Sequence, residues 1–151
     1  MKAINTMRLT FDSRSANESF ARTSVAAFLC QLDPAMDELM DIKTAVSEAV
    51  TNAIVHGYRD CIGKVTVTTA LYENHRVVIK VQDKGCGIED IAKAREPLFT
   101  TAPEEERAGL GFAVMESLTD KLRVSSRPGK GTTVTLERQI RSKDEAHEQH
   151  R

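Results

Sequence analysis

Cysteine is scarce: Cys30, Cys61 and Cys86 are the whole set, and no two form a C-x-x-C pair. An odd, scattered set argues against a disulfide framework or a zinc site and suits a reducing compartment. An excess of one charge is lacking too. Lys plus Arg is 21 and Asp plus Glu is 22, a formal net charge of −1. Domains whose main task is gripping nucleic acid carry a basic excess, so that class is set aside. No apolar run approaches the roughly 20 residues of a membrane span. The N-terminal segment, with Lys2, Arg8 and Asp12, has no apolar stretch of signal-peptide type. A cytoplasmic protein without membrane contact is the expectation. The four histidines do not cluster at metal-ligand spacing, and no Ser, His and acid set suggests a triad. Neither standard phosphate loop occurs. G-x-x-x-x-G-K-[ST] fails at Gly63-Lys64, where glycine spacing is wrong and no Ser or Thr follows. G-x-G-x-x-G fails after Gly85 and after Gly109.

What is present suits one domain. The chain has 151 residues, long enough to bury a single core. TMRLTFD (6–12) alternates Met7, Leu9 and Phe11 with polar residues and predicts a strand. Ser15 and Glu18 fit a capping box that opens a helix to about Gln31, with Ala21, Val25, Leu29 and Leu32 as its apolar stripe. Asp33 and Pro34 suit the N-cap and first position of a second helix, which Gly57 ends. Stretches 64–71 and 76–83 form a predicted hairpin, as do 121–127 and 132–138 around Pro128-Gly129-Lys130-Gly131. A short helix is expected over 88–95, a mobile loop over 96–109 and a helix over 110–120. Residues 1–140 then make an α/β two-layer sandwich: a mixed, mostly antiparallel sheet with helices on one face. Residues 141–151 contain no large apolar side chain and read as a disordered tail.

Four short stretches carry candidate chemistry, and each has a plainer reading beside it. Glu48 and Asn52 stand one turn apart on the second helix, about 40° apart around its axis. Taken alone they read as a solvated polar face; the functional alternative, which needs supporting motifs, is a proton acceptor and a hard oxygen ligand for Mg²⁺. DKGCG (83–87) is either an ordinary glycine turn or a site where Asp83 accepts from a base amino group while Gly85 and Gly87 admit a ligand. AGLGF (108–112) opens a helix, either as a flexible entry or as a phosphate cradle on the N–H groups of Gly109 and Gly111. Thr132 and Thr133 suit a strand by propensity, or supply a hydroxyl to a base. His56 reads as a helix-end contact, and Glu104, Glu105 and Glu106 as a solvated run.

The order of these stretches is more specific than any one of them. E-x-x-x-N on a helix, D-x-G-x-G after a strand, a long loop ending G-x-G into a helix, then G-T in the last strand, resembles the nucleotide-binding fold of gyrase, Hsp90, histidine kinases and MutL. Within that superfamily, ESFARTSVAAFLCQLDPAMDEL, IKTAVSEAVTNAIVHGY, AREPLFTT and ERAGLGFAVMESL resemble the anti-sigma-F factors of endospore-forming bacteria, which are serine kinases and sigma-factor antagonists. The resemblance implies ATP or ADP with Mg²⁺ as ligands. It implies Glu48 as general base, Asn52 as Mg²⁺ ligand and Asp83 as reader of adenine, helped by Gly85 and Gly87. It places Thr100, Gly109 and Gly111 in a lid over the phosphates, Thr132 beside adenine, and Arg22 on a partner-facing surface. The implied partners are a sigma factor, an anti-anti-sigma protein that is phosphorylated, and a second copy of the chain, with no direct nucleic acid. One position departs from the pattern: many lids read F-T-T-K, whereas Ala102 follows Thr101, so Arg107 or backbone amides would have to meet the phosphates. Two neighbouring readings share the motifs. One is a stress-response anti-sigma kinase with another sigma partner. The other is a nucleotide-dependent sigma-binding module without phosphotransfer.

Overall fold

The computed structural model describes residues 2–96 and 111–141. Strand β1 (Ala3–Asp12) is followed by helix α1 (Ala16–Leu29), a tight 3₁₀ turn (Cys30–Leu32) and helix α2 (Met36–Asn52). The hairpin of β2 (Lys64–Tyr72) and β3 (Arg76–Asp83) comes next. After it stand α3 (Ile91–Ala94), α4 (Gly111–Leu118), β4 (Lys121–Arg127) and β5 (Gly131–Gln139). The strands form one sheet in the order β1-β2-β3-β5-β4. Every pairing in it is antiparallel. The α/β sandwich is therefore as expected, with a more uniform sheet than the mixed one foreseen.

Alternation decides which face of the sheet is covered. Val65, Val67, Thr69 and Leu71 of β2 are buried, as are Val77, Ile79, Val81 and Asp83 of β3, and their neighbours in sequence are more exposed. The apolar stripes of the helices close over this face. Ala21, Val25 and Leu29 of α1, Ile42, Val46, Ala49 and Val50 of α2, and Phe112 and Met115 of α4 share its core. Helix α2 packs between α1 and α4, so whatever its flank carries toward α4 is held at the centre of the layer.

Several local expectations are corrected. Ser15 has helical backbone angles (φ −54°, ψ −35°) and its side chain caps nothing. A capping serine needs extended backbone to reach the third amide of the helix. Asn17 Nδ2 instead donates to the Asp12 carbonyl at 2.9 Å. Asp33 does not open α2. It adopts left-handed angles (φ 50°, ψ 54°) and ends the 3₁₀ turn, a conformation that the following proline, which disfavours right-handed helix at the residue before it, leaves open. The N-cap is Ala35, whose amide donates to Glu38 Oε1 at 3.2 Å. Strand β1 starts three residues before the expected Thr6, because a register shift between Ala3 and Asn5 breaks the alternation. Arg141, placed in the tail by its sequence, belongs to the fold: its amide donates to the buried Glu38 Oε2 at 2.9 Å. The rest of the tail, 142–151, and the expected mobile loop beyond Glu96 lie outside the described residues.

Candidate functional site

The end of α2 shapes the site. After Asn52 the helix widens into a π turn, Ala53–Gly57, a form found often at functional sites. Three contacts then tie this end to the loop leaving β3 and to the start of β2. Cys86 N donates to the Gly57 carbonyl at 3.0 Å. Tyr58 Oη donates to the Lys64 carbonyl and accepts from Lys84 N, both at 2.7 Å. The approach is so close that a Cβ on Gly85 would lie 1.9 Å from the Gly57 carbonyl oxygen. The glycine of D-x-G at 85 therefore admits the end of α2, and it is not among the residues that line the pocket below.

Beneath this junction lies a pocket of about 590 Å³, within the size range of small-molecule sites. Asn52, Asp83, Gly87 and Thr132, four residues chosen from sequence, all line it. Its walls are apolar where Ala49, Val81, Ile88, Phe112 and Val134 contribute. Asp83 is only 6% exposed. Burial pushes its carboxyl pKa above the usual value, while backbone N–H groups of Gly85 and Thr132 partly oppose the rise. The Gly85 contact measures 2.9 Å to Oδ1. Thr132 sits opposite Asp83 in the β3–β5 register and is also buried.

Glu48, Asn52 and Gly111 meet at the α2–α4 contact. A Cβ placed on Gly111 would lie 3.1 Å from Asn52 Nδ2 and 3.3 Å from Glu48 Oε2. Neither polar side chain of α2 is on a solvated face; both are half-buried. The Asn52 Nδ2 atom is buried without a hydrogen-bond partner among the described residues. Turning the carboxamide over about its last side-chain bond puts its oxygen at that place. An oxygen there, with phosphates and waters, is the kind of sparse protein donor set that Mg²⁺ accepts. Among the described residues no group of three or more His, Cys, Asp or Glu offers an alternative metal site.

Other expected site residues are elsewhere. Arg22 stays on α1, outside the pocket lining, where its Nε lies 3.7 Å from Glu18 Oε1. Thr100, Ala102, Arg107 and Gly109 lie outside the described residues. The pocket also takes in His56, Arg59 and Lys93, which motif order did not select. His56 and Arg59 directly follow the E-x-x-x-N helix turn, so proximity to that motif was the available signal; Lys93 had none.

Residues 11–138 match the histidine kinase-like ATPase domain family. An anti-sigma F factor from Thermoanaerobacter sp. (strain X514) is 57% identical over 142 residues, covering 94% of this chain and 99% of its own length. Another, from Bacillus subtilis (strain 168), is 53% identical over 137 residues and covers 90% and 93%. Among solved structures, the RsbU and RsbW domains of a Mycobacterium tuberculosis protein align with a TM-score of 0.67 at 24% identity, over 90% of this chain and 32% of that one. The SiaB–SiaC complex of Pseudomonas aeruginosa aligns with a TM-score of 0.59 at 15% identity, over 85% and 88%. Likenesses at those identities speak to the fold alone, but the sequence matches are closer and nearly full length. The chain belongs to the anti-sigma F factor family and carries its histidine kinase-like ATPase domain.

Proposed function

We propose that this chain is an ATP-dependent anti-sigma factor and protein-serine kinase, cytoplasmic and homodimeric, acting in sporulation. It holds a sigma factor in one state and phosphorylates a serine of an anti-anti-sigma protein in the other. The observation that carries the reading is the meeting of Glu48, Asn52 and Gly111 beside a pocket lined by Asp83 and Thr132.

The chemistry follows from the residue types. Asp83 and Thr132 accept from the base at the inner end of the pocket. The Asn52 oxygen would hold Mg²⁺, which supplies positive charge to the phosphates when bound. Glu48 accepts the proton of the substrate serine as its oxygen bonds to the γ-phosphorus and the bond to the β-phosphate oxygen breaks, releasing ADP. The amides at the start of α4 favour the charge that develops on the transferred group. Thr100, Gly109 and Arg107 belong to the lid in this reading, with Arg107 or backbone amides in place of the lysine that Ala102 replaces. Arg22 faces the protein partner. The state of the bound nucleotide selects between partners.

The test is transfer of labelled γ-phosphate from ATP, with Mg²⁺, to the co-encoded antagonist. Wild type is expected to label a serine and Glu48→Gln to bind ATP without labelling it. ATP binding by wild type without transfer to any candidate partner would favour a sigma-binding module instead. Labelling of an antagonist tied to a stress-response sigma factor would move the chain to that branch.

A further inference from the structure

Ser126 of β4 makes three contacts through one oxygen. Ile88 N lies 2.8 Å from Ser126 Oγ, the Gly131 carbonyl oxygen 3.0 Å and Thr132 Oγ1 2.8 Å. A serine hydroxyl has one hydrogen and two lone pairs. The Ile88 amide only donates, and the Gly131 carbonyl only accepts. One arrangement of hydrogens therefore satisfies all three contacts. Ser126 accepts from Ile88, donates to Gly131 and accepts from Thr132. Thr132 then has no hydrogen left for the pocket and turns lone pairs alone toward it.

Asp83 stands beside Thr132 in register, and its carboxylate takes backbone hydrogens from Gly85 and Thr132. An ionised carboxylate is likewise an acceptor only. The inner end of the pocket thus offers two neighbouring acceptors from these side chains. A 6-amino purine presents hydrogens to such a pair. A 6-oxo purine presents an oxygen at that same position, its one ring hydrogen standing at N1, and an unmatched acceptor facing acceptors there costs binding.

We propose that Ser126 is a positioning residue that sets the base preference. It is not among the pocket-lining residues, yet it fixes Thr132 as an acceptor and so favours 6-amino over 6-oxo purine nucleotides. The same serine anchors Ile88, which follows the D-x-G-x-G turn, to the β4–β5 hairpin. The inference rests on the nucleotide reading of the pocket. Without Ser126 the Thr132 hydroxyl is free to rotate and donate to a 6-oxo group.

The experiment measures dissociation constants of the full chain for ATP, inosine triphosphate and purine riboside triphosphate, which has neither group. Ser126→Ala is expected to lower the ATP-over-inosine preference by about tenfold, the worth of one ordinary hydrogen bond. Ser126→Thr, which keeps the hydroxyl, is expected to restore it. Adding Ser126→Ala to Thr132→Val is expected to change the preference no further than Thr132→Val alone. Equal weakening of all three nucleotides by Ser126→Ala, with ratios unchanged, would reduce Ser126 to a structural clasp and overturn the proposal. If Ser126→Ala folds too poorly to measure, Ser126→Cys, a weak acceptor, takes its place, and a wild-type ratio in that variant overturns it equally. A wild type that binds none of the three removes the nucleotide reading itself, and this inference with it.

Discussion

The carboxyl of Asp83 is buried under the end of α2, and its raised pKa has a direct consequence for stability. Between its unfolded value near 3.8 and its higher folded value, the folded chain binds more protons than the unfolded one. Stability from this group is therefore full below 3.8 and lost as pH rises through the folded pKa. Asp83→Asn keeps an acceptor for the Gly85 amide and removes the buried charge. It is expected to raise the thermal midpoint at neutral pH by about 3 °C, near 1 kcal/mol for a chain of this size, and to abolish tight nucleotide binding. Melting curves across pH check this, since the gain should shrink toward zero as pH falls to 3.8. A gain that does not vary with pH would assign it to something other than the charge. A second buried group carries a simpler expectation. Thr69 is fully buried and its hydroxyl has no partner among the described residues. Thr69→Val should stabilise the chain by about 1 kcal/mol, because an unmet polar group is exchanged for a methyl. Urea titration measures it, and a loss of stability would reveal a partner for that hydroxyl. Residue-level roles were the least legible in sequence. Ser126 sits in an ordinary strand run, V-S-S-R, and only its three contacts distinguish it from Ser125.

Elements were more legible than their ends. The stripes of α1 and α2 and the two hairpins follow from apolar periods of about 3.6 and 2. The caps did not follow, because a capping box names residue types and not backbone angles. Ser15 has the right type with helical angles, and Asp33 has the right type two residues too early. Two glycines separate packing from chemistry. A Cβ at position 85 meets backbone, the Gly57 carbonyl at 1.9 Å, which cannot step aside. Gly85→Ala is expected to destabilise the chain by about 3 kcal/mol or more, by urea denaturation. Among the described residues, the atoms nearest a Cβ at position 111 are side-chain atoms of Asn52 and Glu48, at 3.1 and 3.3 Å. Alanine is also the better helix former. Gly111→Ala should thus fold as well as wild type and lose phosphotransfer by about tenfold or more, since displacement of a positioned group by a fraction of an ångström costs on that order. Unchanged transfer would place the reacting groups away from the α2–α4 contact.

At the scale of the whole molecule, the covered face of one antiparallel sheet brings together stretches that are far apart in the chain. Asn52, Asp83 and Thr132 come from α2, β3 and β5, and the pocket lies where those elements converge. No single stretch forecast this, but their order did, through its resemblance to a known arrangement. The reach of that resemblance was uneven in physical terms. It carried the sheet and the pocket, which depend on long periodic elements. It could not give the reason for Gly85, which lies in a contact between two segments distant in sequence. In the proposed function Glu48 and Asn52 divide the work of one transfer. The most direct test measures two quantities for three proteins: Mg-ATP affinity and transfer of labelled phosphate to the antagonist serine, for wild type, Glu48→Gln and Asn52→Ala. Glu48→Gln is expected to keep wild-type affinity and lose transfer by at least about a hundredfold, whereas Asn52→Ala is expected to lose Mg-ATP binding. Transfer by Glu48→Gln at the wild-type rate, or the same failure in both variants, would contradict that division.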